Sequence, residues 1–557
     1  MKYKYTKVKN TENKSFSDYQ EDFSFNDYHW EIENSVLSGE NTFVDAGPGS
    51  GKTSTIFAVV LPSLIANDKE TGCLFAFNKA NANDFQSRIP ESYSGNIKAG
   101  TIHSILLSLL RDCLSFKTLR INGPQDAGLK YGRYHKARKG KTRDMAEEMF
   151  PEENGNFISN VCRLVSLAKN SAFGIKSNDD YKNPDISDRT EWDKLIATYS
   201  IGGMDSDNFE GENDVDLIEC AQKLLVETVK NKSEADFDDM LYFPMYYKCN
   251  LPDWDFLIMD ESQDIFPITL EFISRMKDKG TQIVMVGDRK QAINGFAGSI
   301  AGAIDVALGR VGGNIMDMPV SFRCSKAACD RANEIFPNSV IAHDNAKEGE
   351  IIYMEFNEFS EGVDQMNGGD IILSRTHRNL IPFAMSFIKV GREFVYKGIR
   401  KWANEATRCL YHAARVTKDL SEIRKSMTEY MSELEDKYLG SPKMPKWVNE
   451  KRETIETLCL LIAGIEMENG TISTLRSYLT KLIAADKEFT GDCITLATIH
   501  ASKGGEWETV FIVGDMISAR AKTEEEIYSE RCCSFVAVTR SKDKLVFVSI
   551  PKGGSLG

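Results

Sequence analysis

Short apolar runs that end in polar residues recur along both halves of this chain. They are rich in Leu, Ile, Val and Phe, and they lie at 41–44, 72–77, 256–259, 282–286, 370–373, 493–497, 509–513 and 544–548. Runs of this length are typical of strands that are buried on both faces of a parallel sheet and carry functional residues at their carboxyl ends. The pattern predicts an α/β fold with one parallel sheet in each half of the chain.

Two longer segments interrupt the predicted strands. The first is polar and contains a basic cluster, whereas the second has the period of amphipathic helices. We therefore expect each sheet domain to carry an inserted, mainly helical subdomain. The predicted units are 1–109 with 202–309 for the first domain, 110–201 for its insertion, 310–401 with 488–557 for the second domain, and 402–487 for the second insertion.

The composition is that of an ordinary soluble protein. Hydrophobic residues make up 42% of the chain and charged residues 27%, which provides enough apolar material for packed cores. Apolar runs fall short of the roughly 18 to 20 residues of a membrane span, and the N-terminal residues lack the apolar core of a secretory signal. The 12 cysteines include no CxxC pair, so a zinc or iron–sulfur site is not expected. We expect a cytoplasmic protein without membrane contact.

The net charge restricts the kind of nucleic-acid site that is possible. A formal charge of −14 opposes indiscriminate binding to a polyanion, so any such site has to be a local groove. The stretch 130–143 differs in charge from the acidic chain as a whole, because it combines dense positive charge with two tyrosines. It is equally compatible with a grip on a phosphate backbone and with a solvated basic loop.

A glycine-rich loop lies between the first predicted strand and a predicted helix at 53–66. Its residues are Ala46, Gly47, Pro48, Gly49, Ser50, Gly51, Lys52, Thr53 and Ser54. Such glycines let backbone N–H groups turn towards phosphate oxygens, and the helix N-terminus adds its positive dipole end. We expect Lys52 to reach the β and γ phosphates of a nucleotide and Thr53 to hold Mg²⁺. The loop alone does not exclude an ordinary turn, and kinases and GTPases share it.

Two adjacent carboxylates follow the apolar strand 256–259. One carboxylate at a strand end can orient Mg²⁺ while the next polarises the attacking water, as phosphoryl transfer requires. We assign Asp260 to the metal and Glu261 to the water. Acidic strand ends are also common on solvated loops, so the assignment depends on the glycine-rich loop.

Further motifs follow in a fixed order, and together they resemble the superfamily 1 DNA helicases of the UvrD/PcrA/Rep group. The string DESQD at 260–264 resembles the family's DEAQD, and TIHASKGGEW at 498–507 resembles its T-x-H-x-x-K-G-L-E-F. The other matches are FNK at 77–79, TIHS at 101–104, DFDD at 236–239, VGDRKQAI at 286–293, SFRCS at 321–325, LSRT at 373–376 and VAVTRSK at 536–542. The full set in this order is far more specific than any one match.

The resemblance implies two RecA-like domains in tandem that face each other across one ATP molecule. Arg323 and Arg540 would then act as arginine fingers on the γ-phosphate, and Gln291 would sense that phosphate. Phe322 would stack on the adenine, and Glu506 would hold the ribose. Taken alone, either arginine would more often belong to a surface ion pair.

The resemblance also implies a track for single-stranded DNA. Tracking requires rings on which bases stack and donors for phosphates. By motif position, the candidates are Phe77, Asn78, His103, Phe296, Arg375, His500 and Lys503. A lone aromatic residue or histidine is more often part of a core, which is the alternative for each of these positions.

Several positions depart from the family pattern. His29 stands where the family has the glutamine that reads adenine, Asn294 and Ala297 replace a tyrosine and an arginine, and Cys532 replaces an arginine. The second insertion is short for this family and lacks its duplex-contacting glycine motif. The departures favour translocation over strong duplex unwinding and leave the hydrolysis residues intact.

The motifs together predict an ATP-dependent single-stranded DNA translocase and helicase that uses Mg²⁺. The resemblance implies 3′-to-5′ movement, a role in replication, repair or recombination, and a monomer or weak oligomer that binds single strands and junctions with duplex. One alternative is an ATPase switch that serves a nuclease or replication partner without robust unwinding. Another is a P-loop kinase or GTPase, which would lack arginines from a second domain.

Overall fold

A computed structural model describes residues 25–113, 119–121, 128–130, 133–135, 140–199, 201, 216–293, 302–362, 366, 368–437, 446–487, 493–517 and 524–550. In chain order, the strands of this part are β1 Thr42–Ala46, β2 Gly72–Ala76, β3 Ile97–Thr101, β4 Arg120–Ile121, β5 Gly128–Lys130, β6 Arg133–His135, β7 Glu234–Ala235, β8 Phe256–Met259, β9 Gln282–Gly287, β10 Asn314–Met318, β11 Val320–Ser321, β12 Ile341–Ala342, β13 Glu350–Glu355, β14 Ile371–Ser374, β15 Phe394–Lys397, β16 Ile494–Thr498, β17 Trp507–Val513 and β18 Ser541–Ser549.

The α-helices of the same residues alternate with these strands. They are α1 Asp27–Leu37, α2 Lys52–Thr55, α3 Leu61–Ala66, α4 Lys79–Arg88, α5 Ile102–Asp112, α6 Lys141–Met149, α7 Gly155–Asn170, α8 Arg189–Tyr199, α9 Leu217–Lys230, α10 Asp239–Tyr246, α11 Pro267–Asp278, α12 Ala303–Val311, α13 Lys326–Ile335, α14 Phe356–Gly362, α15 Ile381–Val390, α16 Ile399–Ala413, α17 Leu420–Lys437, α18 Lys446–Met467, α19 Ile472–Ala485 and α20 Glu524–Val538. A π-helical turn, Ile56–Val60, joins α2 to α3.

The first sheet is parallel throughout, with the strand order β10-β1-β9-β8-β2-β3. Its central strand β8 is buried along its whole length. Phe256 and Ile258 belong to one hydrophobic cluster, while Leu257 and Met259 belong to another. Because successive side chains point to opposite faces of a strand, an uninterrupted apolar run fits a sheet that is covered on both sides.

The second sheet is also parallel, with the order β13-β18-β17-β14-β16-β15. Ile371 and Leu373 pack into one cluster and Ile372 into another, so this sheet too is covered on both faces. The predicted fold class, two parallel α/β domains in tandem of the RecA-like type, is confirmed. We call the first sheet with its helices the first lobe and the second sheet with its helices the second lobe.

Within the described residues, the first insertion contains α6 to α8 and the short strands β4 to β6, and the second insertion is helical. In the first lobe, α6, α7 and α8 pack with the sheet in a single hydrophobic cluster that includes Phe75 and Val161. In the second lobe, α16 to α19 share a cluster with strands β14 to β16, in which Leu458 and Leu496 are fully buried. Each insertion is therefore anchored in the core of its own lobe.

Strands β10 and β7 and helix α9 do not lie in the domains to which the predicted boundaries assign them. β10 pairs with β1, which places it in the first sheet although the predicted first domain ends at residue 309. α9 packs against α6 and α7 of the insertion, and β7 pairs with β4, although the predicted insertion ends at residue 201. The chain crosses to the second lobe only after β10.

Candidate active site

The glycine-rich loop connects β1 to α2 at the carboxyl edge of the first sheet. Gly49 and Gly51 have positive φ values of 71° and 83°, a conformation that glycine adopts at little cost. Gly49 also touches the second lobe, because a Cβ atom at this position would lie 2.4 Å from Cβ of Arg323. The backbone N–H of Phe322 donates to the Gly49 carbonyl at 2.9 Å. The loop therefore faces the polypeptide that enters the second lobe.

Asp260 and Glu261 follow β8 beside this loop. Burial, together with the Glu261 carboxylate, raises the pKa of Asp260 to about 7. Burial would also raise the pKa of Glu261, but Lys52 and Lys503 and a hydrogen bond from Gln263 lower it below its ordinary value. Asp260 Oδ1 is buried and has no hydrogen-bond partner among the described residues. An oxygen ligand left in this state beside a phosphate-type loop fits a Mg²⁺ site.

Gln291 connects the two lobes. Its Nε2 donates to Asp288 Oδ2 at 2.7 Å, and its Oε1 accepts from Arg540 Nη2 at 3.2 Å. Asp288 follows β9 of the first sheet, and its backbone N–H donates to Gln263 Oε1 at 3.0 Å. Arg540 lies next to β18 of the second sheet. The predicted sensor and one predicted finger are thus in direct contact across the cleft.

Arg540 is held inside the protein although it is a permanent cation. It is 1% exposed, and it donates to the carbonyl oxygens of Val536 at 3.0 Å and Gly505 at 3.1 Å. Burial, with a contribution from Arg323, lowers the pKa of Arg540 to about 10. The side chain stays protonated at neutral pH and directs positive charge into the cleft.

Lys503 lies in the cleft as well. Its Nζ donates to Asp264 Oδ2 at 2.6 Å and to the Gln291 carbonyl at 3.0 Å. The sequence predicted a DNA contact at this position, whereas the structure places the ammonium group between the two lobes beside the hydrolysis residues.

Arg323, Glu506 and Phe322 lie at the open side of the cleft. Arg323 Nε donates to Glu506 Oε2 at 2.6 Å, and Lys542 Nζ lies 2.8 Å from Glu506 Oε1. Although burial opposes it, these two cations lower the pKa of Glu506. The Phe322 ring is 48% exposed and contacts the ring of His343 at a centroid distance of 4.8 Å. An exposed ring beside a charged pair is compatible with the predicted adenine and ribose contacts.

His29 has a structural contact that its motif position does not predict. It is completely buried, and its Nδ1 accepts from the backbone N–H of Asn26 at 3.2 Å, while its own N–H donates to Asn26 Oδ1. These reciprocal bonds cap α1, as in a capping box. Burial lowers the pKa of His29 to about 4, so the ring is neutral. The predicted adenine contact is therefore not seen in the geometry.

Three of the predicted DNA candidates lie on the first lobe. The Phe77 ring is 57% exposed, and Asn78 Oδ1 accepts from Asn81 N at the start of α4. His103 stacks on Phe237, with ring centroids 3.9 Å apart and an angle of 21° between the planes. Phe237 is 60% exposed and was not assigned a role from the sequence, although it belongs to the quoted DFDD motif.

Two of the candidates on the second lobe contact helix α20. Arg375 Nη2 donates to Glu530 Oε1 at 2.7 Å, and its Nε donates to the same carboxylate. His500 Nε2 lies 3.5 Å from Cys533 Sγ. Both side chains are partly exposed, and that of Arg375 is 30% exposed. Phe296, Asn294 and Ala297 lie outside the described residues.

The basic stretch 130–143 divides into different environments. Lys141 is fully buried and pairs with Asp239 at 2.8 Å, and Arg143 pairs with Glu147 at 2.9 Å. Residues 131–132 and 136–139 lie outside the described residues. For Lys141, neither of the two alternatives, contact with a phosphate backbone or a solvated loop, fits the structure, because its ammonium group is buried.

The described residues lack two features, a membrane-spanning helix and a cluster of metal ligands. No helix among them is both long enough and apolar enough to cross a bilayer. The same residues contain no group of three or more His, Cys, Asp or Glu side chains arranged to hold a metal ion.

Two family models match the chain. One, described as the UvrD/REP helicase N-terminal domain, matches residues 26–307, and the other, described as the UvrD-like helicase C-terminal domain, matches residues 494–548. F-box DNA helicase protein 1 of Schizosaccharomyces pombe is 23% identical over an alignment of 322 residues that covers 53% of this chain and 34% of that protein. The chain thus spans about a third of this relative's length. Among solved structures, an arterivirus nonstructural protein 10, a helicase, aligns over 92% of this chain and 61% of that chain, with 10% identity and a TM-score of 0.30.

Proposed function

Because this chain belongs to the UvrD/Rep helicase family, we propose that it is an ATP-dependent DNA helicase that moves along single-stranded DNA. The direction we propose is 3′ to 5′, and the setting is DNA replication, repair or recombination. The observation that carries this proposal is the contact between Arg540 of the second lobe and Gln291 of the first. This contact makes closure of the lobes depend on what occupies the cleft between them.

The first lobe supplies the groups that bind and activate the nucleotide. Lys52 binds the β and γ phosphates, and the loop glycines present backbone N–H groups to them. Thr53 and Asp260 would hold Mg²⁺, which neutralises phosphate charge and helps to orient the γ-phosphate. Glu261 orients the attacking water, because its lowered pKa keeps it an acceptor at neutral pH. Gln263 fixes the Glu261 carboxylate by a hydrogen bond.

The second lobe supplies positive charge where negative charge develops. Arg540 approaches from within the protein, and Arg323 approaches beside Gly49. Lys503 adds a third cation next to Gln291. Arginine fingers of this kind accelerate phosphoryl transfer about 10³- to 10⁵-fold in related systems. When the phosphate product leaves after hydrolysis, the negative charge that these groups share decreases, the attraction between the lobes weakens, and the cleft is free to open.

The nucleic-acid track of this proposal starts on the first lobe. Phe77 and the stacked pair of His103 and Phe237 offer exposed rings to unpaired bases. Burial lowers the pKa of His103 to about 4, so this pair is neutral and suited to stacking. Opening and closing of the cleft would displace the second lobe relative to these rings, and each cycle would move the strand.

Two assays test the proposal. The ATPase rate is measured with single-stranded DNA, single-stranded RNA and duplex DNA as separate activators, and strand release is measured on duplexes with a 3′ or a 5′ tail. We expect the highest rate with single-stranded DNA and release only from the 3′-tailed duplex. Stimulated hydrolysis without strand release would identify an ATPase switch instead. Hydrolysis without any response to nucleic acid would reject the proposal.

A further inference from the structure

A buried cluster of four charged side chains joins the first insertion to the turn that carries Phe237. The charge cluster consists of Lys141 at the start of α6, Lys169 near the end of α7, and Asp236 and Asp239 on either side of Phe237. Lys141 and Asp239 are fully buried, and Lys169 is almost so. None of these side chains faces the nucleotide cleft residues described above.

The two lysines share the two carboxylates. Asp239 Oδ2 accepts from Lys141 at 2.8 Å, and its Oδ1 lies 2.7 Å from Lys169 Nζ. Lys169 Nζ also lies 3.6 Å from Asp236 Oδ2, to which the Thr142 hydroxyl donates. Lys141 further donates to the Thr228 carbonyl at 2.8 Å. Two cations therefore lie against two carboxylates, of which Asp236 keeps 13% of its side chain exposed, and Asp238 adds further negative charge near Lys169.

The same carboxylates form the turn itself. The backbone N–H of Asp236 donates to Asp239 Oδ2 at 3.1 Å, and the backbone N–H of Asp239 donates to Asp236 Oδ1 at 3.0 Å. Phe237 lies between these two bonds, with its ring exposed and stacked on His103. Lys141 thus contacts the same oxygen, Asp239 Oδ2, that accepts from the backbone, whereas Lys169 contacts the other oxygen of each of the two carboxylates.

Stability alone is a poor reason for such a cluster. Removing charges from water costs free energy that their mutual attraction often fails to recover, and apolar residues of similar size are often as stable or more so. A buried ionic cluster does favour one geometry over others, since each partner has to be present at a defined distance. Two members of the cluster flank Phe237, whose ring is exposed, so a fixed geometry of the cluster would fix the position of that ring.

We propose that Lys141 and Lys169 are positioning residues for base stacking, which hold the turn Asp236–Asp239 so that Phe237 presents its ring to a base of a single strand. The first insertion thereby controls the stacking surface from beneath, and a movement of α6 or α7 changes the grip on the strand. This inference rests on the proposed function, because it requires that a base stacks on Phe237.

The test is the variant Lys169→Met, which removes the charge and keeps the length of the side chain. Fluorescence anisotropy gives the Kd for an oligo-dT strand and for an abasic strand of equal length. Wild type should prefer oligo-dT, because only bases stack. The variant should bind oligo-dT about tenfold more weakly, so that the ratio of the two Kd values falls towards one. An unchanged ratio in the folded variant would overturn the inference.

Two further variants separate positioning from a general loss of structure. Arg275→Met removes another buried cation of the first lobe, which pairs with Glu271 at 2.8 Å and does not touch the turn. It should lower the melting temperature and leave the ratio of Kd values at the wild-type level. Thr142→Val removes the hydroxyl that donates to Asp236 and accepts from Lys169 at 3.4 Å, and it should reduce the ratio about threefold. If Lys169→Met does not fold, a wild-type ratio in Thr142→Val overturns the inference.

Phe237→Ala shows which of the two ideas fails. If the ratio is one in the wild-type protein, or if Phe237→Ala leaves it unchanged, base stacking at this position is wrong and the proposed track fails. If Phe237→Ala abolishes the preference while Lys169→Met and Thr142→Val retain it, only the positioning role is rejected. In the double variant Lys169→Met/Phe237→Ala, the loss should be no greater than in Phe237→Ala alone.

Discussion

The nucleotide cleft and the aromatic surface of the first lobe are built in opposite ways. In the cleft, charged groups are buried and held by partners from the other lobe, as Arg540 is by Gln291 and Lys503 by Asp264. On the aromatic surface, the rings of Phe77 and Phe237 are exposed and belong to one lobe. The charges that support Phe237 lie beneath it, away from solvent.

The two regions therefore depend on different parts of the molecule. The contacts across the cleft form only when the two lobes are together. The side chains that make these contacts are therefore suited to sense and to cause closure of the lobes. The aromatic surface of Phe77, His103 and Phe237 is formed by residues of the first lobe. Variants of the two regions should therefore affect hydrolysis and strand binding separately.

The largest effect is expected from the residues of the first lobe that face the phosphates. Lys52→Ala and Glu261→Gln should each reduce kcat of the ATPase by about 10⁴-fold, because each removes a group that acts on the transferred phosphate. Steady-state hydrolysis with saturating oligo-dT measures this. Binding of oligo-dT should remain measurable in both variants. Normal turnover in either one would reject its assigned role.

Arg540→Ala tests whether the second lobe takes part in the chemistry. We expect kcat to fall about 10³-fold while KM for ATP changes much less, since the guanidinium group acts mainly on the transition state. The comparison with Lys52→Ala distinguishes a finger from a binding residue. An unchanged kcat would remove Arg540 from the active site.

Phe237→Ala should weaken binding of single-stranded DNA by about 1 to 3 kcal/mol, which is roughly 5- to 150-fold in Kd. Tyr353→Ala is the matched control, because this ring is 71% exposed on the edge strand β13 of the second lobe. Its Kd should equal that of the wild-type protein. Equal losses in both variants would mean that any exposed ring has this effect and that no defined surface exists.

Arg375→Ala decides between the family's DNA contact and the internal pair seen here. Loss of the pair removes the hydrogen bonds of Arg375 to the largely buried Glu530 carboxylate, so the free energy of unfolding should fall by about 1 to 3 kcal/mol. Chemical denaturation measures this change. The Kd for oligo-dT should stay within about twofold, and a large loss of affinity at unchanged stability would restore Arg375 to the track.

The smallest effect concerns the pH dependence of stability and the buried His29. Its folded pKa of about 4 lies below the ordinary 6.5, so as pH falls through 6.5 the unfolded chain takes up a proton that the folded chain excludes. The contribution of His29 to the free energy of unfolding is therefore fully present above pH 6.5 and decreases as the pH falls towards 4. His29→Gln should reduce the decline without abolishing it, because His103 and His377 are shifted in the same direction. Identical melting curves against pH would contradict this account.

The central strands were predictable, whereas the strands at the edges were not. β1, β2, β8 and β9 were expected from uninterrupted apolar runs, because a strand between two others is covered on both faces. β10 and β13 are edge strands with exposed residues such as Asp317 and Tyr353, and their apolar pattern is too weak to be distinguished from that of a loop. The domain boundaries shifted for the same reason, since β10 marks where the first sheet ends.

The sequence alone predicted that the glycine-rich loop binds phosphate and that the acidic strand end binds the metal. Their geometry is local, because a strand, a turn and a helix start form within a few consecutive residues. Only the tertiary structure decided the partners of residues far apart in the chain. It paired Arg540 with Gln291 and Arg375 with Glu530, and it buried Lys141 against Asp239. The physical reason is that a charge takes its role from the groups that surround it, and those groups are assembled by packing of both lobes rather than by spacing along the chain.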